Sequence, residues 1–234
     1  MGKTAFITGS SKGIGKALTL LLLKENYSVV GYSRTNTISH PNFTHVKIDL
    51  SNLKEVQNIT FPSTHKDDVL LINNAANLGE IMPLHLKNSS TIIKDYNLNI
   101  ITPTLLCSIF INIYLKNKKT IINVSSGAAK SDIPSWSTYC ATKSALDRLT
   151  TVLSEETHEK LNVFSIHPGI VNTSMQKSIR EADGKLFPML DRFIKYHEDN
   201  ELEDAKKIAE KFYYVIKNKD KFSQKILLLR DISI

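Results

Sequence analysis

The feature that most constrains this 234-residue chain is a regular alternation of short apolar segments with longer amphipathic ones. Strands are predicted at 4–8, 27–32, 44–48, 69–72, 120–124, 162–166 and 226–229. Helices are predicted at 15–24, 54–59, 90–115 (as one helix or two), 138–159 and 203–216. Uniformly apolar strands that alternate with helices form a parallel sheet covered on both faces. We therefore predict an α/β fold, a single-domain doubly wound parallel sheet over residues 1–234, with ligands at the carboxyl ends of its strands.

Composition and cysteine count exclude several classes of protein. A hydrophobic share of 41% and a charged share of 23% are ordinary for a globular chain, which excludes disorder for its bulk. Cys107 and Cys140 are too few for a disulfide framework or a cysteine zinc site, and two unpaired thiols suit the cytoplasm. The apolar run from Leu20 to Leu23 is far shorter than a bilayer span, and no leader pattern opens the chain. We expect a cytoplasmic protein with no membrane contact.

The net charge of +7 does not predict a nucleic-acid partner. Acids and bases alternate along the C-terminal third, whereas nucleic-acid binding needs basic residues clustered on one face. Seven histidines are scattered along the chain. His167, at a predicted strand end, has no partner at metal-ligand spacing. We expect no metal site, and we expect His167 to bond the backbone.

A glycine-rich turn follows the first predicted strand. The sequence TGSSKGIG places three of the chain's nine glycines within this turn. Glycines here permit a tight turn, close approach of the backbone to a pyrophosphate and close packing of the next helix. That helix also offers free N–H groups and the positive end of its dipole to phosphates. We predict a dinucleotide-binding turn formed by Gly9, Ser11, Lys12, Gly13, Ile14 and Gly15.

The end of the second predicted strand indicates which dinucleotide binds. Folds that prefer NAD place an acid about 20 residues beyond the glycines to hold the ribose 2′-hydroxyl. The corresponding stretch, 31–34, ends in Ser33 and Arg34 and contains no acid. The Arg34 guanidinium suits a 2′-phosphate, and Lys12 is a second cation near it. The sequence therefore favours NADP(H) over NAD(H).

A tyrosine and a lysine lie four residues apart in the long predicted helix. Tyr139 and Lys143 share one helix face, and a nearby ammonium favours the phenolate form of tyrosine. A tyrosine with a pKa lowered in this way is suited to acid–base work near neutral pH. Ser126 follows the fifth predicted strand, at the edge of the sheet where ligands bind, so its hydroxyl would lie beside a substrate carbonyl.

The motifs together resemble the short-chain dehydrogenase/reductase family over essentially the whole chain. They are TGSSKGIG, NNAA at 73–76, Asn99, the Ser-Ser after the fifth strand, YCATK at 139–143 and PGIVNT at 168–173. The stretches SRTNTISH and SSGAAKSDIPSWSTYCATK resemble the benzil reductase and sepiapterin reductase branch. One departure is Ala76, where the family usually has glycine. This resemblance implies a Rossmann fold.

The resemblance also implies four catalytic residues. Tyr139 would donate the proton to the carbonyl oxygen, and Ser126 would hydrogen-bond that oxygen. Lys143 would bind the nicotinamide ribose and lower the pKa of Tyr139. Asn99 would hold a water in the proton relay. The hydride itself would come from the cofactor.

The implied cofactor contacts extend around the edge of the sheet. Asp49 would bond the adenine amino group, and Val171 and Thr173 would contact the nicotinamide carboxamide. Besides the glycine turn, Tyr139 and Lys143, the implied cofactor-binding residues are Ser33, Arg34, Asp49, Leu50, Asn74, Ala75, Pro168, Gly169, Val171 and Thr173. Residues at about 174–200 would form a substrate lid, and Trp136 either packs in the core or lines the substrate site.

The implied function is an NADPH-dependent carbonyl reductase that acts on a ketone or diketone. The enzyme would act on a small-molecule substrate. It would be a homodimer or a tetramer, with its subunits paired through helices 99–115 and 138–159. One alternative is a 3-oxoacyl-carrier-protein reductase, because a basic protein suits an acidic carrier. The other is a non-catalytic NADP(H)-sensing protein. Turnover on diketones, on β-ketoacyl thioesters or on neither distinguishes the three.

Overall fold

A seven-stranded parallel sheet forms the centre of the computed structural model, which describes residues 2–62, 68–156 and 160–234. The strands are β1 (Lys3–Thr8), β2 (Tyr27–Ser33), β3 (Phe43–Lys47), β4 (Asp68–Asn73), β5 (Lys118–Val124), β6 (Leu161–His167) and β7 (Ile226–Leu228). Their order across the sheet is β3-β2-β1-β4-β5-β6-β7, with parallel pairing throughout. The predicted doubly wound, single-domain α/β fold is confirmed.

Eight α-helices connect the strands within the described residues. They are α1 (Gly13–Lys24), α2 (Leu53–Gln57), α3 (Ser89–Tyr96), α4 (Thr102–Ile113), α5 (Ser137–Glu155), α6 (Ser174–Arg180), α7 (Leu190–Glu198) and α8 (Ala205–Lys217). The predicted segment 90–115 is two helices, joined by a π-helical turn at Asn97–Ile101. The long helix ends at Glu155 rather than at 159, and residues 157–159 lie outside the described residues.

The helices cover both faces of the sheet and create two apolar layers. Ala5 and Ile7 of β1 pack with buried residues of α1 and α8, whereas Phe6 between them packs with buried residues of α4 on the opposite face. Successive side chains of a strand point to opposite faces, so a strand covered on both faces must be apolar throughout. This requirement explains why the strands are so easily recognised in the sequence.

The stretch from α3 to α4 is the one described helical segment long and apolar enough to cross a membrane by length and composition. The core helix of a soluble protein passes the same test. Here Leu106, Cys107 and Phe110 of α4 pack against the sheet in a buried cluster. The π-helical turn also carries polar side chains, and that of Asn97 donates to the carbonyl of Ser51 at 3.2 Å. These contacts pack α4 and the π-helical turn against the rest of the fold.

A chain of buried amides fastens α5 to the centre of the sheet. The Nδ2 of Asn73 at the end of β4 donates to Oδ1 of Asn123 in β5 at 2.9 Å. The Nδ2 of Asn123 donates to Oγ1 of Thr150 in α5, also at 2.9 Å. Buried amides form such bonds because an unpaired polar group is costly there. The chain fixes the helix that carries Tyr139 and Lys143 relative to the sheet.

The strand order reverses between β1 and β4, and the loops after these two strands are joined by a side chain. The Oγ1 of Thr8 accepts hydrogen bonds from the backbone N–H of Asn74 at 2.9 Å and of Ala75 at 3.0 Å. The Nδ2 of Asn74 donates in return to the carbonyl of Thr8 at 2.9 Å. A crevice opens where strand order reverses, so these bonds set the geometry of the ligand-binding edge.

We expect Thr8→Val to lower the free energy of unfolding by about 1 kcal/mol, because it leaves the half-buried Ala75 N–H without its acceptor in an otherwise isosteric site. Thr8→Ser keeps the hydroxyl and serves as the matched control, with a loss of less than half that size. Urea unfolding followed by circular dichroism measures both variants. Equal losses for the two would show that the hydrogen bonds from the β4 loop are not what matters at this position.

Candidate active site

A cavity of about 680 Å³ opens at the carboxyl edge of the sheet, where the β1 and β4 loops meet. Eighteen of the predicted site residues line it: Gly9, Ser11, Lys12, Gly13, Ile14, Ser33, Arg34, Asp49, Leu50, Asn74, Ala75, Ser126, Tyr139, Lys143, Pro168, Gly169, Val171 and Thr173. Gly15 and Asn99 do not line it. Lys94 and Asn77 line it without having been predicted, because no local motif marks them, and Met175 lines it from the predicted lid segment.

The glycine turn has the backbone geometry that requires glycine. Gly9 and Gly13 have φ angles of +69° and +55°, in the left-handed region that side chains disfavour. A Cβ on Gly15 would lie 2.2 Å from the carbonyl oxygen of Gly9, so α1 packs against the turn only because residue 15 has no side chain. Gly15 therefore packs against the side of the turn that faces away from the cavity. The cavity is lined by Gly9, Ser11, Lys12, Gly13 and Ile14.

Positive charge borders the cavity beside the turn and β2. Lys12 at the start of α1 and Arg34 after β2 are both exposed and both line it. Asp49 lies on the same side, and its Oδ1 accepts from Ser51 N at 3.0 Å and from Ser51 Oγ at 2.8 Å. These hydrogen bonds, with smaller contributions from Arg34 and Lys94, lower the pKa of Asp49 below its ordinary value. This end of the cavity therefore presents exposed cations together with an ionised carboxylate.

The Ser33 hydroxyl is engaged within the protein. It donates to the carbonyl of Thr35 at 2.8 Å and lies 3.1 Å from Nε2 of His45. Asn74 is similarly occupied, because its Nδ2 bonds the carbonyls of Thr8 and Gly9. Both residues line the cavity, and their side chains maintain the shape of its wall.

Tyr139, Lys143 and Ser126 meet on the other side of the cavity. Tyr139 and Lys143 lie one turn apart on α5, with the Nζ of Lys143 5.6 Å from the centroid of the tyrosine ring. That Nζ donates to the carbonyl of Val124 at the end of β5, at 2.8 Å. The hydroxyl of Ser126 hydrogen-bonds the Tyr139 side chain and accepts from Ala128 N at 3.1 Å. The predicted triad is thus assembled by one helix and one strand end.

Burial acts on the two titrating groups in opposite directions. It raises the pKa of Tyr139 to about 12, and the hydrogen bond from Ser126 only partly offsets this. It lowers the pKa of Lys143 to about 8, although the nearby Asp147 charge acts to raise it. We expected Lys143 to lower the tyrosine pKa. Here the net shift is upward, because removal from water disfavours the phenolate more than its surroundings favour it.

Asn99 lies behind the cavity in the π-helical turn and is 1% exposed. Its Oδ1 accepts from the backbone N–H of Asn77 at 3.0 Å, and its Nδ2 donates to the Asn77 carbonyl at 2.8 Å. The Nδ2 also lies 3.3 Å from Oγ1 of Thr142 on α5. Asn99 therefore ties the β4 loop to the helix of Tyr139. Its predicted role in a water relay stays a prediction.

His167 bonds the carboxylate of Asp147. We expected it to bond the backbone, and this expectation was wrong. Its Nε2 lies 2.9 Å from Oδ2 of Asp147, and Ser165 Oγ donates to Oδ1 of Asp147 at 2.6 Å. Burial raises the pKa of Asp147, whereas hydrogen bonds from His167 and Ser165 and the charge of His167 lower it. The lowering is larger, so the net shift in the pKa is downward. The sequence signal was present, because Asp147 continues the four-residue spacing of Tyr139 and Lys143.

A second cavity of about 430 Å³ adjoins the first and shares Ser126, Tyr139 and Met175 with it. Its outer wall comes from α6 and α7, within the segment 174–200. Trp136 lines this cavity and is also packed, since it stacks on Phe187 with ring centroids 5.7 Å apart. Trp136 therefore packs in a buried cluster and also lines this cavity, and its predicted place in a substrate site stays a prediction.

The described residues contain no group of three or more His, Cys, Asp or Glu side chains that could hold a metal ion. Tyr139, Lys143 and Ser126 bring a phenol, an ammonium and a hydroxyl together at this edge of the sheet. A doubly wound sheet with such a trio beside a glycine turn defines an oxidoreductase that uses a nicotinamide cofactor and acts on alcohol or carbonyl groups.

Comparison with known proteins identifies the family. The family model for short chain dehydrogenase matches residues 3–184. Benzil reductase ((S)-benzoin forming) of Bacillus subtilis is 34% identical over 87% of this chain and 88% of its own. The NADPH-dependent pterin aldehyde reductase of Arabidopsis thaliana is 27% identical over 75% of this chain and 78% of its own. The chain belongs to the short-chain dehydrogenase/reductase family, and its similarity is to the benzil reductase branch.

Comparison with a solved structure independently confirms the fold. The short-chain dehydrogenase/reductase YIR035C of Saccharomyces cerevisiae superposes with a TM-score of 0.86, at 24% identity, over 98% of this chain and 97% of the other. At this level of identity the likeness concerns the fold. The predicted family and fold are both confirmed.

The depressed pKa of Lys143 makes stability depend on pH in a defined window. The unfolded chain keeps the lysine proton up to about its ordinary value of 10.5, whereas the folded protein releases it near 8. The unfolded state then binds more protons between these values, so the free energy of unfolding rises with pH across the window. Relative to Lys143→Met, we expect the wild type to gain about 2 kcal/mol between pH 8 and pH 10. Urea unfolding at several pH values measures this gain, and parallel curves for the two proteins would contradict it.

Proposed function

We propose that the chain is an NADPH-dependent carbonyl reductase that reduces a ketone or diketone to a hydroxyl compound, with Tyr139 as the proton donor. The observation that carries this proposal is that Ser126 and Tyr139 line both cavities. A cofactor in the larger cavity and a substrate in the smaller one would meet at these two side chains. The similarity to benzil reductase and to pterin aldehyde reductase supports a carbonyl substrate.

The larger cavity fits a dinucleotide by its shape and its charge. Its glycine turn leads directly into the start of α1 at Gly13, and helix starts favour phosphate. In this proposal the pyrophosphate lies at the turn 9–15, the adenine lies against Asp49 and Leu50, and the nicotinamide lies against residues 168–173. Asn74 and Ala75 would flank the adenosine. The cofactor supplies the hydride when it is bound.

Arg34 and Lys12 support NADPH over NADH. They are the two exposed cations beside the end of β2 in the cavity wall, and a guanidinium binds a phosphate through a forked pair of charge-assisted hydrogen bonds. Asp49 lies after β3 rather than at the end of β2, so it is not at the position of the acid that holds a ribose 2′-hydroxyl. The named relative from Arabidopsis thaliana is likewise NADPH-dependent.

The pKa values of the two α5 groups suit reduction. A phenol with a pKa of about 12 holds its proton at neutral pH and can donate it as the carbonyl oxygen gains negative charge. Lys143, with a pKa of about 8, is mostly charged at neutral pH and stabilises the phenolate that the donation leaves behind. Ser126 hydrogen-bonds the carbonyl oxygen and orients it toward Tyr139. Asn99 holds the β4 loop and α5 together behind this pair and would position a water for proton return.

We also propose an oligomeric state and a mobile substrate lid. Exposed apolar side chains on the outer helices, among them Ile101 and Val152, suit a symmetric homodimer, with a tetramer as the larger possibility. The segment 174–200, which forms the outer wall of the smaller cavity, would open as a substrate lid. The two cysteines are unpaired, which supports a cytoplasmic location.

Tyr139→Phe is expected to lower kcat for benzil reduction at least about 100-fold, because it removes the donated proton while keeping the ring. NADPH affinity should change less than about twofold, since in this proposal no cofactor contact depends on the hydroxyl alone. Steady-state NADPH consumption and fluorescence titration measure the two quantities. Tyr214→Phe, outside both cavities, is the matched control. Retention of more than a tenth of wild-type turnover by Tyr139→Phe would refute the proton-donor role.

Arg34→Ala is expected to raise KM for NADPH by about 10-fold or more, while KM for NADH changes less than about twofold, because only NADPH carries the 2′-phosphate. Lys47→Ala removes an equal charge from the neighbouring strand β3, outside the cavity wall, and should leave both constants unchanged. Initial rates with each cofactor at saturating ketone give the comparison. Equal increases for NADPH and NADH would refute the assignment of Arg34 to the 2′-phosphate.

A further inference from the structure

The smaller cavity combines an aromatic wall with positive charge. Its apolar lining includes Trp136, Phe193 and Tyr196. Its charged lining consists of Arg192, Arg230 and Asp132, two positive groups against one negative, which leaves a net formal charge of +1. An apolar ketone with no further polar group would make no use of these charges.

Gln176 adds a buried hydrogen-bond donor to this wall. It lines the cavity from α6 and is 3% exposed. Its Oε1 accepts from Nη1 of Arg180 at 3.4 Å, which fixes the amide so that Nε2 is the remaining end. Within the described part of the chain, Nε2 is buried without a hydrogen-bond partner. A buried N–H of this kind is costly unless a ligand supplies an acceptor.

The indole N–H of Trp136 is a second buried donor of the same kind. Trp136 is 5% exposed, lines the same cavity, and its Nε1 has no partner among the described residues. These two donors are the unpartnered buried side-chain atoms among the described residues of this wall. The wall of this cavity therefore carries two buried donors without partners, together with two guanidinium groups.

Arg192 is held in a definite orientation at the cavity rim. Its Nε donates to the hydroxyl of Tyr196 one helical turn later, at 2.5 Å, and its guanidinium carbon lies 5.4 Å from the centroid of that ring. This arrangement leaves the two terminal amino groups of the guanidinium for a ligand. A planar fork of this kind matches the two oxygens of a carboxylate.

We propose that the physiological substrate is an anionic ketone, with a carboxylate that the Arg192 guanidinium and the Gln176 amide bind while Ser126 and Tyr139 hold the reacting carbonyl. The inference rests on the proposed function, because it assigns the reacting carbonyl to the same two side chains. A cationic substrate arm would lie against the Arg192 guanidinium, whereas Arg230 already lies 3.6 Å from a carboxylate oxygen of Asp231. A purely apolar arm would leave the Gln176 and Trp136 donors buried and unpaired.

The test compares benzil with benzil that bears a carboxylate on one ring, at equal NADPH. We expect the wild type to favour the carboxylated diketone by about 10-fold in kcat/KM, mainly through a lower KM, as a charge-assisted hydrogen bond gives. Arg192→Gln should bring the ratio of the two kcat/KM values close to one. Lys195→Gln removes an equal charge from the same helix outside the cavity wall, and should keep the wild-type ratio.

Gln176→Glu provides a second, independent variant. It places a negative charge where the amide donor was, so the ratio should fall below one by repulsion of the carboxylate. Thermal unfolding of each variant shows that it is folded. A wild-type ratio near one, or an unchanged ratio in Arg192→Gln, would overturn the proposal.

Failure of the proposed function is a separate outcome. It would show as binding of NADPH without reduction of either diketone by the wild type. Calorimetric titration of the two diketones into the NADP⁺-loaded protein then tests the anion site without turnover. Preferential binding of the carboxylated compound, lost in Arg192→Gln, supports the site, and equal binding of both compounds refutes it.

Discussion

The contact between the β1 and β4 loops is the interaction on which the rest of the site depends. Parallel strands end at one edge, and at the reversal of strand order some backbone groups of these two loops bond side chains rather than a neighbouring strand. The Thr8 hydroxyl and the Asn74 amide supply the missing partners. The resulting close approach is possible only because Gly9 and Gly15 carry no side chains. The shape of the larger cavity therefore depends on how the β1 and β4 loops satisfy their backbone hydrogen-bonding groups.

The Tyr139–Lys143 pair depends on a second constraint, which is the burial of α5 against the sheet. Burial separates the two pKa values, so that the phenol of Tyr139 becomes a weaker acid and the ammonium of Lys143 a stronger one. The opposing influence on Lys143 comes from Asp147, one further turn along the same helix, which His167 and Ser165 keep charged. The lysine therefore remains mostly charged at neutral pH despite its burial, and its Nζ donates to the carbonyl of Val124.

Features encoded by neighbouring residues could be predicted from the sequence. The uniformly apolar strands, the glycine turn and the Tyr139–Lys143 spacing are local, and the structure places them as expected. Features that join distant segments could not. The partner of Asn99 is the backbone of Asn77, and the partner of His167 is Asp147. The upward shift in the pKa of Tyr139 likewise depends on burial by several segments at once.

In the proposed function, the larger cavity holds the cofactor and the smaller one holds the substrate, and the two meet at Ser126 and Tyr139. The residues that would hold the cofactor and move the proton all precede residue 174, at the edge of a sheet whose geometry the backbone enforces. The similarity to the family model ends at residue 184, before α7 begins at Leu190. Arg192 lies beyond that point and makes its contact within α7 itself, so it can be exchanged without disturbing the sheet edge. A change of substrate charge therefore needs no change in the residues that perform the reduction.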